Sequence, residues 1–77
     1  NRFYPPESLR KLAEIAETVS ADVEDGMVTA ANFRDATDVG RNLAIEVLEF
    51  FDKVKFTRRV GDGHEVIRPA SEAFSGD

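Results

Sequence analysis

Cysteine and tryptophan are absent from this chain, which has a single methionine, a single tyrosine and a single histidine. Without cysteine there is no disulfide framework, thiolate zinc site or thiol nucleophile, and the reducing cytoplasm is the expected compartment. The one histidine, His64, leaves no second imidazole to complete a metal site, so no metal is expected. The acidic run Asp22, Glu24 and Asp25 lacks the ligand spacing of a calcium loop and reads as a solvated loop. No apolar run approaches the roughly 18–20 residues of a membrane span. The opening Asn1-Arg2-Phe3-Tyr4-Pro5-Pro6 has no signal-peptide layout, so neither a membrane partner nor secretion is expected. Glycine-rich phosphate loops ending in lysine, nucleophile elbows and metal-binding histidine pairs are also missing. No catalytic residue and no cofactor is therefore expected, which leaves binding.

Positive charge is in short supply as well. Ten lysines and arginines face fifteen acidic residues, a net charge of −5, which is awkward for a partner built on phosphate. The distribution matters more than the total. Residues 1–40 hold four basic groups against eight acidic ones, whereas residues 41–68 hold six (Arg41, Lys53, Lys55, Arg58, Arg59 and Arg68) against five. Glu72 and Asp77 add to the acidic side. This division predicts an acidic back and a mixed or basic front.

The length of 77 residues suits one small domain, with a core over about 6–68. Pro5-Pro6 followed by Glu7 and Ser8 signals a helix start. Leu9, Leu12, Ala13, Ala16 and Val19 then form one apolar stripe, ending near Ala21. After an acidic loop, Met27-Val28 is a stub of strand, and Thr29 caps a short second helix running to about Thr37. Asp38 offers a further cap before a third helix, whose stripe is Leu43, Ala44, Val47, Leu48, Phe51 and Val54, widened by Ile45 and Phe50. Its opposite face carries Asn42, Glu46, Glu49 and Lys53.

From Phe56 the period changes to strand, glycine-rich turn and strand. A loop centred on Gly61-Asp62 pairs Arg58 with Glu65, and one centred on Asp62-Gly63 pairs it with Ile67. From Pro69 the chain lacks any apolar period around its lone Phe74 and reads as a flexible tail over 69–77. Helix, stub, helix, turn, long helix and hairpin is the order of an α+β winged helix: a helix-turn-helix with a C-terminal β-hairpin wing.

The candidate contacts follow from this layout. Arg41 stands in the opening turn of the third helix, where exposed backbone N–H groups favour phosphate, and Gly40 beside it would let another backbone approach. The plainer reading is a turn glycine and a solvated arginine. Only one of Arg58 and Arg59 can share the face of Phe56 and Val60, and the other is left for solvent or a partner. Arginine's planar fork suits phosphate and guanine edges, although a pair between Arg58 and Glu65 is the competing use. His64, beside the turn, reads as a surface donor or a small stacking platform.

Three segments go together: Phe33-Arg34-Asp35, Gly40-Arg41 followed by Asn42 to Asp52, and Thr57-Arg58-Arg59 with Val60-Gly61-Asp62. In this order and spacing they resemble the C-terminal winged helix of the bacterial selenocysteine-specific elongation factor, over about half the chain. The resemblance implies recognition of the mRNA hairpin that directs selenocysteine insertion. The ribosome, GTP and selenocysteyl-tRNA would be met only through domains outside these residues. It also implies RNA-backbone contacts by Arg41 and Asn42, contacts at the wing by Arg58, Arg59 and His64, and a bracing or phosphate role for Arg34. Relatives often carry a basic residue at the position of Asn42 and glycine at that of Lys55, so one charge is lost and another gained. The alternatives are a DNA-binding winged helix, which Glu46 and Glu49 on the exposed face of the third helix disfavour, and a protein-interaction module.

Overall fold

The computed structural model describes residues 6–74. Residues 1–5 and 75–77, which entered the readings above, lie outside them. The elements are α1 (Pro6–Asp22), β1 (Met27–Val28), α2 (Ala30–Thr37), α3 (Arg41–Lys53), β2 (Thr57–Val60), β3 (Gly63–Val66) and α4 (Ala70–Ala73). The strands form an antiparallel sheet in the order β1-β3-β2, giving the winged helix expected from the element order.

Each boundary has a local cause. Thr29 accepts from the Asn32 N–H while the Asn32 side chain accepts from the Thr29 N–H, a reciprocal box that opens α2 as expected. Asp38, expected to cap the third helix, instead ends α2. Its φ of 63° is left-handed and its N–H donates to the Arg34 carbonyl at 2.8 Å. Gly40 is the residue that caps α3, without a side-chain bond.

Packing of amphipathic faces does the rest. Ala13, Ala16 and Val19 of α1 meet Phe33 of α2 and Ala44, Val47, Leu48 and Phe51 of α3 in one core. Phe51 is its centre, with Phe33, Phe50, Phe56 and Phe74 at ring-centroid distances of 5.0–6.5 Å. Val54 falls off the expected stripe because α3 stops at Lys53, which leaves it 39% exposed.

Residues from Pro69, expected to form a flexible tail, are ordered as far as Phe74. Ala70 is buried, Phe74 packs on Phe56 at 5.6 Å, and the Ala70 N–H donates to Glu17 Oε2 at 2.9 Å. An acid on α1 thus satisfies an orphan N–H at the start of α4, a partnership of 53 residues' separation that no local pattern can reveal.

Lys55 has a φ of 68°, a conformation that suits glycine. Its carbonyl accepts from Arg68 Nε at 2.6 Å, so the chain reversal after α3 is held from the far end of the hairpin. Lys55→Gly should raise stability by about 0.5–1 kcal/mol, since relief of the left-handed penalty outweighs glycine's greater unfolded-state freedom. A urea midpoint that falls or stays put would contradict this.

Candidate nucleic-acid interface

The wing registers Thr57 opposite Val66, Arg58 opposite Glu65, Arg59 opposite His64 and Val60 opposite Gly63. The loop is therefore centred on Gly61-Asp62, and Gly61 supplies a left-handed φ of 59°. Side-chain alternation divides the hairpin. Thr57, Arg59, His64 and Val66 share one face, and Arg58, Val60 and Glu65 share the other. The two arginines are both exposed but point to opposite sides.

On the outer side, Arg58 Nη2 lies 2.8 Å from Glu65 Oε1, with the arginine largely in solvent and the glutamate half-buried. An exposed pair of this kind contributes below about 1 kcal/mol. On the inner side the wing faces α3. Ala30, Ile45, Leu48, Glu49, Arg59, Asp62 and His64 line a groove of about 200 Å³ there. Arg59 Nε donates to the Gly61 carbonyl at 3.2 Å, which holds the guanidinium near the wing tip and leaves its outer nitrogens for a ligand.

Helical spacing places Arg41 in line with this groove. Arg41, Ile45, Leu48, Glu49 and Asp52 fall on one side of α3, so Arg41 stands one turn beyond Ile45. Arg41, Asn42 and Gly40 are all exposed. Gly40 has an ordinary φ of −67°, and a Cβ there would meet nothing within 4 Å. Neither backbone strain nor packing demands glycine at this position. Arg34 lies on α2 one turn from Ala30, where it is exposed and within 3.5 Å of Asp35.

The surface reading of His64 is corrected. The residue is only 7% exposed, because its Nδ1 sits 3.0 Å from both carboxylate oxygens of Asp52. Asp52 also accepts from the buried Thr57 hydroxyl at 2.5 Å. Strand residues that would otherwise be unsatisfied are thereby tied to the last turn of α3, and no buried side-chain nitrogen or oxygen among the described residues lacks a partner. Sequence reasoning passed over Asp52, Thr57 and Asp62. The helical stripe that contains Arg41 and Ile45 also contains Asp52, so its placement was readable, but its partners were not.

Lys55 does not replace a charge missing at Asn42. Asn42 is the second residue of α3 and Lys55 lies two residues past its far end, with 13 helical residues, about 20 Å, making up the element between. Among the described residues no cluster of groups could hold a metal ion, and no helix is long and apolar enough to cross a membrane.

Residues 22–66 match the family described as "Elongation factor SelB, winged helix". The selenocysteine-specific elongation factor of Escherichia coli is 42% identical over 64 residues, covering 83% of this chain and 10% of that protein. The Haemophilus influenzae factor is 33% identical with the same coverage of both chains. This chain thus spans about a tenth of the length of those relatives. A solved structure of the mRNA-binding domain of E. coli elongation factor SelB in complex with SECIS RNA superposes with a TM-score of 0.77 and 38% identity, covering 84% of this chain and 52% of that one. The chain belongs to the winged-helix family of elongation factor SelB.

Proposed function

We propose that this chain is the module of a selenocysteine-specific elongation factor that binds the selenocysteine-insertion hairpin in mRNA. The observation that carries the reading is the likeness to a domain solved with SECIS RNA, at 38% identity over most of this chain. Arg41 and Asn42 would take phosphates at the start of α3, where no side chain caps the first-turn N–H groups. The groove between α3 and the wing, with its apolar floor and the Arg59 guanidinium at its rim, suits an extruded base. Arg58 would reach the same RNA only from the outer face of the wing, and Arg34 and Gly40 would line the approach to Arg41. His64 would act from the groove wall. The domain's contribution is recognition rather than chemistry. GTP, charged tRNA and the ribosome, all in the cytoplasm, would be engaged by other parts of the factor.

A few phosphate contacts predict a shallow salt dependence, a slope of roughly −1 to −3 in log affinity against log salt. Titration with a selenocysteine-insertion hairpin and with a scrambled stem-loop is expected to show tight binding of the first alone. Equal affinities, or equal binding of random duplex DNA, would refute the reading.

A further inference from the structure

Arg59 and His64 are direct cross-strand partners on the groove face of the wing, so their side chains stand next to each other. What they offer a ligand depends on the imidazole's tautomer, and Asp52 decides that. An ionised carboxylate only accepts hydrogen bonds, and Asp52 lies 3.0 Å from Nδ1 through both of its oxygens while also accepting from Thr57. In the neutral ring Nδ1 therefore carries the proton, and Nε2 presents a lone pair. Nε2 has no partner among the described residues, and no buried nitrogen there is unpartnered, so Nε2 reaches the surface. His64 lines the groove, and that is the space onto which its accessible edge opens.

We propose that Asp52 is a positioning residue that fixes His64 as a hydrogen-bond acceptor beside the Arg59 donor, so that the groove selects a nucleobase whose edge sets a ring N–H beside a carbonyl. This rests on the RNA-binding reading above and adds to it which bases are admitted. Uracil, with N3–H between two carbonyls, and guanine, with N1–H beside O6, present that edge. Neutral adenine and cytosine have no ring N–H there. The ring N–H donates to Nε2 while the guanidinium donates to the carbonyl. With Nε2 protonated instead, two donors would face one carbonyl, and the base N–H would lose its acceptor. Glu49 and Asp62, also on the groove wall, can accept from an exocyclic amine such as that of guanine.

The test has two arms. In the free protein, imidazole 15N–1H correlation spectra at a pH where the ring is neutral should place the proton on Nδ1, and Asp52→Asn, whose amide can donate to the ring, should move it to Nε2. A wild-type proton on Nε2 overturns the proposal, and one that stays on Nδ1 in D52N overturns the role given to the carboxylate. In the second arm, a selenocysteine-insertion hairpin is prepared with 3-methyluridine or 1-methylguanosine at each unpaired uridine or guanosine in turn. One position should exist where methylation weakens wild-type binding about tenfold. D52N and His64→Phe should bind the unmodified hairpin about tenfold more weakly than wild type and show no further loss on methylation. Full discrimination in H64F, or in D52N with its proton on Nε2, overturns the proposal. Failure of the wild-type domain to bind any hairpin would instead remove the RNA-binding reading, while the spectra still report on the tautomer.

Discussion

Arg59→Ala is expected to weaken hairpin binding by about 1–3 kcal/mol, roughly 5- to 150-fold, as for loss of a directed arginine contact. Arg58→Ala should cost only a few-fold. The two side chains are neighbours in sequence, yet the strand alternation sends Arg59 into the groove with His64 and Arg58 to the outer face with Glu65. The outer arginine already has an anionic partner, and breaking that exposed pair does little to stability. Fluorescence anisotropy at a fixed salt concentration, with circular dichroism to verify folding, separates the two. An Arg58→Ala loss equal to or larger than that of Arg59→Ala would show that RNA approaches the outer face, and that the groove is not the reading surface.

Phe51→Ala is expected to remove a large part of the domain's stability and lower its melting temperature steeply. Truncating a buried phenylalanine costs about 3–5 kcal/mol. A domain of this size has in total roughly 4–12 kcal/mol. Phe51 is fully buried, and four other phenylalanines pack against it, so no neighbour can fill the void without moving another. It also joins the groove to the rest of the fold, being adjacent in sequence to Asp52. Loss of dispersed NMR signals and of RNA binding together, at a temperature well below the wild-type melting point, is the expected outcome. Phe50→Ala, at a site 37% exposed, should be far milder. Equal melting temperatures for F51A and wild type would contradict the packing described above.

Much of this molecule could be read from local pattern. The stripe of α1, the Thr29 cap, the course of α3 and the wing all follow from spacing and turn chemistry, because each depends on residues a few positions apart. What could not be read depends on distant partners. Ala70 and Phe74 look like tail residues until Glu17 and the phenylalanine cluster are in place. His64 looks like a surface group until the register sets it over Asp52, 12 residues earlier. Asp38 was readable as a cap, but the choice between closing one helix and opening the next turned on its left-handed φ. In the site, Arg41 and the arginine pair stood out by charge alone, whereas the division of labour between Arg58 and Arg59 required the register.

The most direct experiment is an NMR titration of the 15N-labelled domain with the selenocysteine-insertion hairpin. Large shifts are expected at Arg41, Asn42, Arg59 and His64, along the line from the start of α3 through the groove, with Arg58 and α1 little changed. Shifts confined to α1 and the outer face of the wing, or the same pattern from a scrambled stem-loop, would contradict recognition of the hairpin by this groove.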